Sequence, residues 1–491
     1  MNSRGLRKWW PALLTSTVLT GCAASRGPDY VPPADPQETR YRPERRAATD
    51  PEGAVARQHM NGRAEVPRRW WQAFGSPEID ALVTRAIAAS PTLESAQASV
   101  AQADALVRAA GGSLYPQLSL QATATRGNSA AIKGGTGAAG NQLGIGPLLT
   151  YAPDVFGSTA RRIELARAQA DLQFAQQAAA ELALAGNTTV QAIALAGARA
   201  QALAAQDIVA LDERNVELVR VATEGGKSAH LDLLTAESQL ASDRALLPPL
   251  LQQESVAVHA LAVLQGRATA EPVPPLLDLE ALTVPADVPL VLPSQLVRRR
   301  PDIAAAEAQL HEANAAIGIA TAQLYPSVTL SASWTSVAAT AGGLFGSGTS
   351  VWNLAADLLA PVFSGHALQA QRDAAVEAYA AQLADYRQVV LQAFAQLADL
   401  LDALDHDAAL AFATRRALDA ASTVAELTQQ SYQVGQANLL QLLDAQRQYQ
   451  QARLADVRAR AQQLGDTAQL FIAMGGAVPV RRTEPTRVDS P

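Results

Sequence analysis

Cys22 is the only cysteine in a chain of 491 residues. A lone thiol excludes an internal disulfide and a cysteine-cluster metal site, but it can be acylated. The six histidines, at positions 59, 230, 259, 311, 366 and 406, show no metal-ligand spacing. Gly226-Lys227-Ser228 has the ending of a phosphate-binding loop, yet the glycine required five positions earlier is Val221. A helical rather than an extended segment precedes it, so the phosphate cradle is missing. No Gly-x-Ser-x-Gly nucleophile turn occurs. Neither an enzyme nor a cofactor is expected. The remaining candidates are charges on helices. Asp444 and Arg447 lie three apart and share a face, with Leu440 four positions before Asp444. By spacing alone this is a solvated ion pair worth about 0.2–0.5 kcal/mol. Asp399, Asp402 and Asp405 recur every three residues. They either line a passage and favour cations or form a solvated helix face.

The composition is 48% hydrophobic, 17% charged and 5% aromatic, with a net charge of −7. An acidic balance argues against a nucleic-acid partner. No uncharged apolar run reaches the length of a membrane-spanning helix, so any passage through a bilayer must be made by strands. Arg4, Arg7 and Lys8 precede the apolar stretch Trp9 to Leu19, which is too short to span and suits a signal-peptide core. It ends in Leu19-Thr20-Gly21-Cys22, which resembles a bacterial lipobox. Residues 1–21 then form a signal peptide, and cleavage leaves Cys22 as an acylated N-terminus. The removed piece carries three basic and no acidic residues, so the net charge moves from −7 to −10. Ala23, by resemblance to enterobacterial lipoproteins, favours outer-membrane sorting. Residues 22–68 are rich in Pro, Arg and Glu without apolar periodicity and read as an extended tether. Trp70, Trp71 and Phe74 mark entry to a packed body.

The body is written twice. Pro91 to Pro116 and Pro301 to Pro326 have equal length, begin with Pro, are Ala-rich and end in Leu-Tyr-Pro, at an offset of 210. Ala152-Pro153-Asp154-Val155-Phe156-Gly157 answers Ala360-Pro361-Val362-Phe363-Ser364-Gly365, and Gly226 with Leu231, Leu233 and Leu234 answers Gly435 with Leu440, Leu442 and Leu443. Ordered landmarks of this kind point to an internal duplication. Residues 69–266 form the first repeat, 267–293 a Pro-rich external linker, 294–476 the second repeat and 477–491 a flexible tail.

Each copy opens with a helix, for which Ser90 is a suitable N-cap and Pro91 a suitable first residue. After Leu-Tyr-Pro the period changes to two. Leu118, Leu120, Ala122 and Ala124 alternate with polar residues, as do Val328, Leu330, Ala332 and Trp334. That is the pattern of a barrel strand. A Gly-, Ala- and Ser-rich loop follows (Asn128 to Gly140, Ser336 to Thr349), then a returning strand, Leu143 to Tyr151 or Val351 to Leu359. Long helices come next, Thr159 to Thr223 and Ala367 to Tyr432. The second has 66 residues, about 100 Å at about 1.5 Å per residue. Each turns back at a glycine, around Glu224-Gly225-Gly226-Lys227 and Val434-Gly435-Gln436. Four strands cannot close a barrel, and an open sheet in lipid leaves edge groups unsatisfied. Strands that span a membrane therefore demand several copies around an axis.

Here the residues resemble a known family, the TolC superfamily of outer-membrane efflux ducts, and within it the OprM/NodT-like lipoproteins of tripartite RND-type pumps. The matching residues are the lipobox at Cys22, Gly27-Pro28-Asp29-Tyr30-Val31-Pro32, Trp71 with Phe74, Leu114-Tyr115-Pro116-Gln117-Leu118, Arg300-Pro301-Asp302-Ile303 with Ala306-Glu307, Pro361-Val362-Phe363 with Gly365, and Tyr432-x-x-Gly435 running into Leu442-Leu443-Asp444-Ala445-Gln446-Arg447. Ser431 stands where the family often has Arg, Ala152 where it often has an acid, and Met474-Gly475-Gly476-Ala477 lacks the frequent closing Trp. The resemblance implies a membrane α+β fold. Four strands per chain build a trimeric 12-stranded outer-membrane β-barrel, continuous with a periplasmic α-helical barrel. It also implies a homotrimer anchored in outer-membrane lipid by its acyl group. Its partners would be a periplasmic adaptor (membrane fusion) protein and an inner-membrane RND-type pump, with small molecules such as drugs passing outward. Tyr432, Leu440, Asp444 and Arg447 would close the periplasmic end. The tips at Gly225, Gly226, Lys227, Gly435 and Gln436 would dock the adaptor. The alternatives are the exit channel of a protein secretion system and a lipid-anchored periplasmic coiled-coil scaffold, which leaves the paired strands unexplained.

Overall fold

The computed structural model describes residues 27–42 apart from 35 and 39, and residues 58–62, 65–127, 140–270 and 277–476. Cys22, the signal segment, the first strand loop from Asn128 to Ala139 and the tail from Ala477 lie outside the described residues.

In chain order the elements are β1 (His59–Asn61), a short 3-10 turn at Trp70–Phe74, α1 (Pro77–Ala89), α2 (Pro91–Gly112), β2 (Gln117–Gly127), β3 (Gly140–Tyr151), α3 (Ser158–Glu224), α4 (His230–Arg244), α5 (Leu247–Leu264), β4 (Asp287–Pro289), α6 (Pro293–Arg299), α7 (Pro301–Ala322), β5 (Ser327–Ala338), β6 (Ser350–Leu359), α8 (Ala367–Gln433) and α9 (Leu439–Ala473). The duplication is visible in lengths. α2 and α7 each have 22 residues, and α3 and α8 each have 67. At about 1.5 Å per residue the latter are rods of about 100 Å.

The Leu-Tyr-Pro segments convert helix to strand in both copies. Tyr115 N–H reaches back to Gly112 O and Tyr325 N–H to Ala322 O, closing the last turn, and the proline then admits no further helix. β2, β3, β5 and β6 form one antiparallel sheet in that order. Its register aligns the two periods. Leu118, Leu149, Ala332 and Leu354 stand opposite one another in a single row, and Ser119, Leu148, Ser333 and Asn353 form the next. Apolar and predominantly polar rows thus occupy opposite faces. Two devices join the two hairpins. Pro147 offers no N–H, and the β3–β5 ladder skips it. Beside it, a Cβ on Gly146 would collide with the carbonyl of Trp334 and lie 2.7 Å from Thr335 Cα. β2 and β6 are the outer strands of this sheet, each with one side unpaired within the chain.

The helices pack by small residues. α3 buries mainly alanines and two glycines, Gly186 and Gly197. A Cβ at Gly186 would lie 2.6 Å from Ile472 Cγ1 of α9, and one at Gly197 would lie 2.9 Å from the Ala461 methyl. Midway along the rods the two repeats share one apolar core, in which Trp70 stacks on Phe471 at 5.3 Å and Phe74 meets Phe471 edge-on. Around it pack Leu82, Ile193, Leu296 and Leu397.

Four features differ from the sequence expectation. α1 was not foreseen; Ser76 caps it by accepting from Ile79 N–H at 3.2 Å, while Ser90 precedes Pro91 without making a side-chain cap. The returning helix of the first copy breaks at Leu246, because Pro248 and Pro249 open a new helix; in the second copy α9 is continuous. The linker is not weakly structured where described. Leu277, Leu279 and Leu282 are buried, and β4 pairs in parallel with β1. The tether is extended but clamped. Gly27 (φ 100°) packs on Gly318, Asp29 binds buried Arg161 at 2.7 Å, and Tyr30 stacks on His311 at 4.2 Å. Farther on, the Tyr41 hydroxyl donates to Val291 O at 2.6 Å.

Candidate functional site

The two rod tips are built alike. At the first, Gly226 takes φ 69° and Lys227 N–H bonds to Ala222 O at 2.8 Å; at the second, Gly435 takes φ 76° and Gln436 N–H bonds to Ser431 O at 2.8 Å. A left-handed glycine ends each rod and lets the chain reverse. Asp232 then accepts from Ala229 N–H and the Ser228 hydroxyl, whereas Asn438 and Gln441 exchange reciprocal capping bonds at 2.9 Å. Gly225, Gly226, Lys227, Gly435 and Gln436 are all at the surface.

Above the second tip, α9 presents two faces. Leu442, Ala445, Gln446 and Gln450 are buried, and Leu439 and Leu443 join Val216, Val219, Ala236 and Leu240 in a small apolar cluster. The other face carries Leu440, which is 68% exposed, and the Asp444–Arg447 pair, with Gln448 donating to Asp444 at 2.9 Å. Tyr432 is half-buried at the end of α8. The structure therefore brings Asp444 and Arg447 together within one helix and leaves both half-exposed. The first copy carries a different link, Arg220 of α3 to Glu237 of α4 at 3.6 Å.

Behind this face lies a buried polar cluster that the sequence reading missed. Asn215 of α3 donates to Gln446 of α9 at 2.6 Å, and Gln446 donates to Gln429 of α8 at 3.3 Å. Asn215 also bonds to Asp212, whose carboxyl faces Asp243 of α4. Burial, then the neighbouring Asp243 carboxyl, pushes Asp212 up to about 7, with Asn215 opposing. A second such pair, Asp407 with Asp466, lies farther from the tips. Burial and Asp466 push Asp407 up to about 7, and Gln462 binds it at 2.8 Å. No signal in the sequence sets these groups apart, because the alanine-rich rods carry no clear apolar stripe to assign an interior.

The acidic series divides. Arg42 of the tether pairs with Asp402 and, at 2.9 Å, with Asp405, while Asp399 has no such bond to the tether. Asp402 and Asp405 thus help to seat the N-terminal segment. None of these clusters combines a nucleophile with a base or gathers metal ligands among the described residues. What the geometry offers is an apolar-and-charged face at the end of a long rod, and a sheet with one apolar side.

The profile of the family described as outer membrane efflux protein matches residues 82–267 and again 292–476, one segment per copy. The pyoverdine export outer membrane protein OpmQ of Pseudomonas aeruginosa is 34% identical over 431 residues, covering 84% of this chain and 89% of that protein. Nodulation protein T of Rhizobium leguminosarum bv. trifolii is 28% identical over 474 residues, covering 95% and 97%. Among solved structures, the outer-membrane channel OprN superposes with a TM-score of 0.81 at 24% identity, over 92% of this chain and 99% of that one. These agree with the duplicated helix–hairpin–rod order and with the absence of a catalytic set among the described residues. The chain belongs to the outer membrane efflux protein family, the non-enzymatic outer-membrane exit ducts of the TolC superfamily.

Proposed function

We propose that three copies join edge to edge, β6 of one to β2 of the next, into a 12-stranded barrel that conducts small molecules passively out of the cell. The observation that carries this is the four-stranded sheet with two outer strands of 11 and 10 residues and one apolar face. In lipid, each unpaired backbone group costs several kcal/mol, so such a sheet must close on copies of itself. Two copies give eight strands, an interior that side chains fill; three give twelve and leave a lumen. Strand length fits as well. Tyr325 lies just before β5, and Trp334 and Trp352 stand opposite each other farther along. The nine residue steps from Tyr325 to Trp334 make about 30 Å of extended chain, or about 23 Å of height at a tilt of about 40°. That is the apolar band of an outer-membrane barrel with aromatic residues at both borders.

The rods then form a tunnel across the periplasm. Its tips, at Gly225, Gly226, Lys227, Gly435 and Gln436, dock a periplasmic adaptor, through which an inner-membrane RND-type pump delivers cargo. Cys22 carries the acyl anchor. Only four residues separate it from Gly27, which packs on Gly318 at the head of the rods. Tyr432, Leu440, Asp444 and Arg447 close the periplasmic end. Charge pairs between neighbouring helices can be exchanged on docking, and a ring of leucines can dewet a narrow pore. The test is ion conductance of the folded trimer in planar bilayers. The wild type should open rarely, and the Asp444→Ala, Arg447→Ala double variant should conduct clearly more. No conductance in either would refute the duct. Equal, large conductance in both would move the gate away from these residues.

A further inference from the structure

We propose that Asp212 and Asp243 form a proton-binding site that sets how firmly α3 holds α9, and thereby the resting state of the gate. This rests on the gate reading above. The geometry of the pair requires a proton. Both carboxyls are buried, at 5% and 8% residue exposure, and Asp212 Oδ2 has no hydrogen-bond partner among the described residues. Two carboxylates facing each other have no hydrogen to share; one proton between them supplies the missing bond and removes the repulsion. Among the described residues no cation is placed to do this instead. On α3, Glu213 turns outward to Arg244 of α4 at 2.6 Å, and Asp207 to Arg453 of α9 at 2.9 Å, both at the surface. α4 offers Gln239, which donates to Asp243 at 2.8 Å. α9 offers Gln446 and Gln450, and α8 reaches the cluster through Gln429.

The chain of bonds leads from this pair to the gate helix. Asn215 carries two amide hydrogens, so it bridges Asp212 and Gln446. Gln446 lies between Asp444 and Arg447 in sequence and points to the opposite side of α9. Its bond to Asn215 fixes the rotation of α9 and so the direction in which the charge pair faces. When the proton leaves, Asp212 becomes the stronger acceptor and pulls the bridging Asn215 toward itself, which strains its bond to Gln446. Repulsion from Asp243 also loosens α4 from α3. The protonated site favours the closed gate, and loss of the proton favours opening.

Two readouts test this on the full trimer. The first is hydrogen exchange of α4 amides at about pH 6 and about pH 8.5, corrected for intrinsic exchange. In the wild type, protection of the Asp243 end should fall at the higher pH; in Asp212→Asn, whose amide replaces the shared proton, it should not. The second is open probability in planar bilayers at the same two pH values. A closed-to-open shift of about one pKa unit makes the wild type about tenfold more open at the higher pH, with Asp212→Asn staying low at both. Identical exchange behaviour in the two proteins overturns the site. Different exchange with the same pH dependence of conductance overturns its link to the gate. Asp243→Asn repeats both arms should Asp212→Asn fail to assemble. The Asp444→Ala, Arg447→Ala variant separates the readings. If it does not open, the gate assignment fails, while the exchange arm still decides the proton site.

Discussion

Gly146 is the tightest point of the sheet, and replacing it by Ala should prevent the barrel from forming. The added methyl would collide with the carbonyl of Trp334 and lie 2.7 Å from Thr335 Cα and 2.8 Å from the Trp334 carbonyl carbon. All three are backbone atoms of β5, so no rotamer change relieves the clash. β3 must move off β5 by about 1 Å, which breaks the bonds nearest the contact, Ile145 with Ser336 and Leu148 with Ser333. Losing two ladder bonds at about 1 kcal/mol each is moderate in water. In lipid the freed groups find no replacement and cost several kcal/mol each. The β3–β5 ladder is also the junction between the two repeats, so the damage separates the hairpins. Gly144 provides the graded control. Its added methyl meets the Thr123 hydroxyl at 2.8 Å and the Thr335 methyl at 3.3 Å, both movable side chains. At Gly140 it meets nothing within 4 Å. Heat-resistant trimer in outer-membrane fractions should therefore be abolished in Gly146→Ala, reduced in Gly144→Ala and unchanged in Gly140→Ala. Wild-type trimer yield from Gly146→Ala would refute the register assigned to β3 and β5.

Asp407→Asn should flatten the pH dependence of trimer stability. Asp407 is raised to about 7 by burial and by Asp466, so the stability it contributes is full below its unfolded value of 3.8 and is lost as pH rises through about 7. Melting of the wild type should fall from about pH 5 to about pH 8 while that of the variant stays level; parallel curves would sink the assignment. Gly27→Val should release the tether, because φ is 100° there and an added Cβ would lie 2.7 Å from Gly318 Cα. Limited proteolysis between residues 27 and 42 should then become fast while the rods stay resistant, and an unchanged cleavage pattern would show that Gly27 is not the clamp.

The sequence patterns were legible in proportion to their contrast. Two-residue alternation in β5 and the paired Leu-Tyr-Pro segments announced the hairpins, and the long Pro-free stretches announced the rods. β1 and β4 are three residues each, and their parallel pairing joins positions more than two hundred apart with no local signal. The buried polar cluster stayed hidden for a different reason. Alanine occurs on every face of these rods, so the apolar stripe is faint and Asp212 or Gln446 reads like any surface polar residue. The acidic series hid a long-range partner. Its spacing suggested a line of charges, but spacing does not reveal that Arg42, some 360 residues earlier, pairs with Asp402 and Asp405.

The two copies share a plan, and their differences bear on the proposed gate. In the first copy the returning helix is cut at Leu246, so a rotation imposed at the Gly226 tip meets a joint after the 15 residues of α4. In the second copy α9 runs unbroken for 35 residues from its Asn438 cap. At about 1.5 Å per residue that is about 52 Å. Its far end is fixed in the core, where Phe471 stacks on Trp70 and meets Phe74. Near the tip α9 is held by the apolar cluster that Leu439 and Leu443 join and by the bond between Gln446 and Asn215. Small changes at Gln446, about 10 Å above its start, turn the face that carries Leu440, Asp444 and Arg447 without disturbing the core. The broken helix can yield locally but cannot carry such a movement. On the proposed gate reading, the charge pair of α9 has a continuous helix behind it, whereas the corresponding face of α4, with Thr235 and Ser238, sits on a helix of 15 residues.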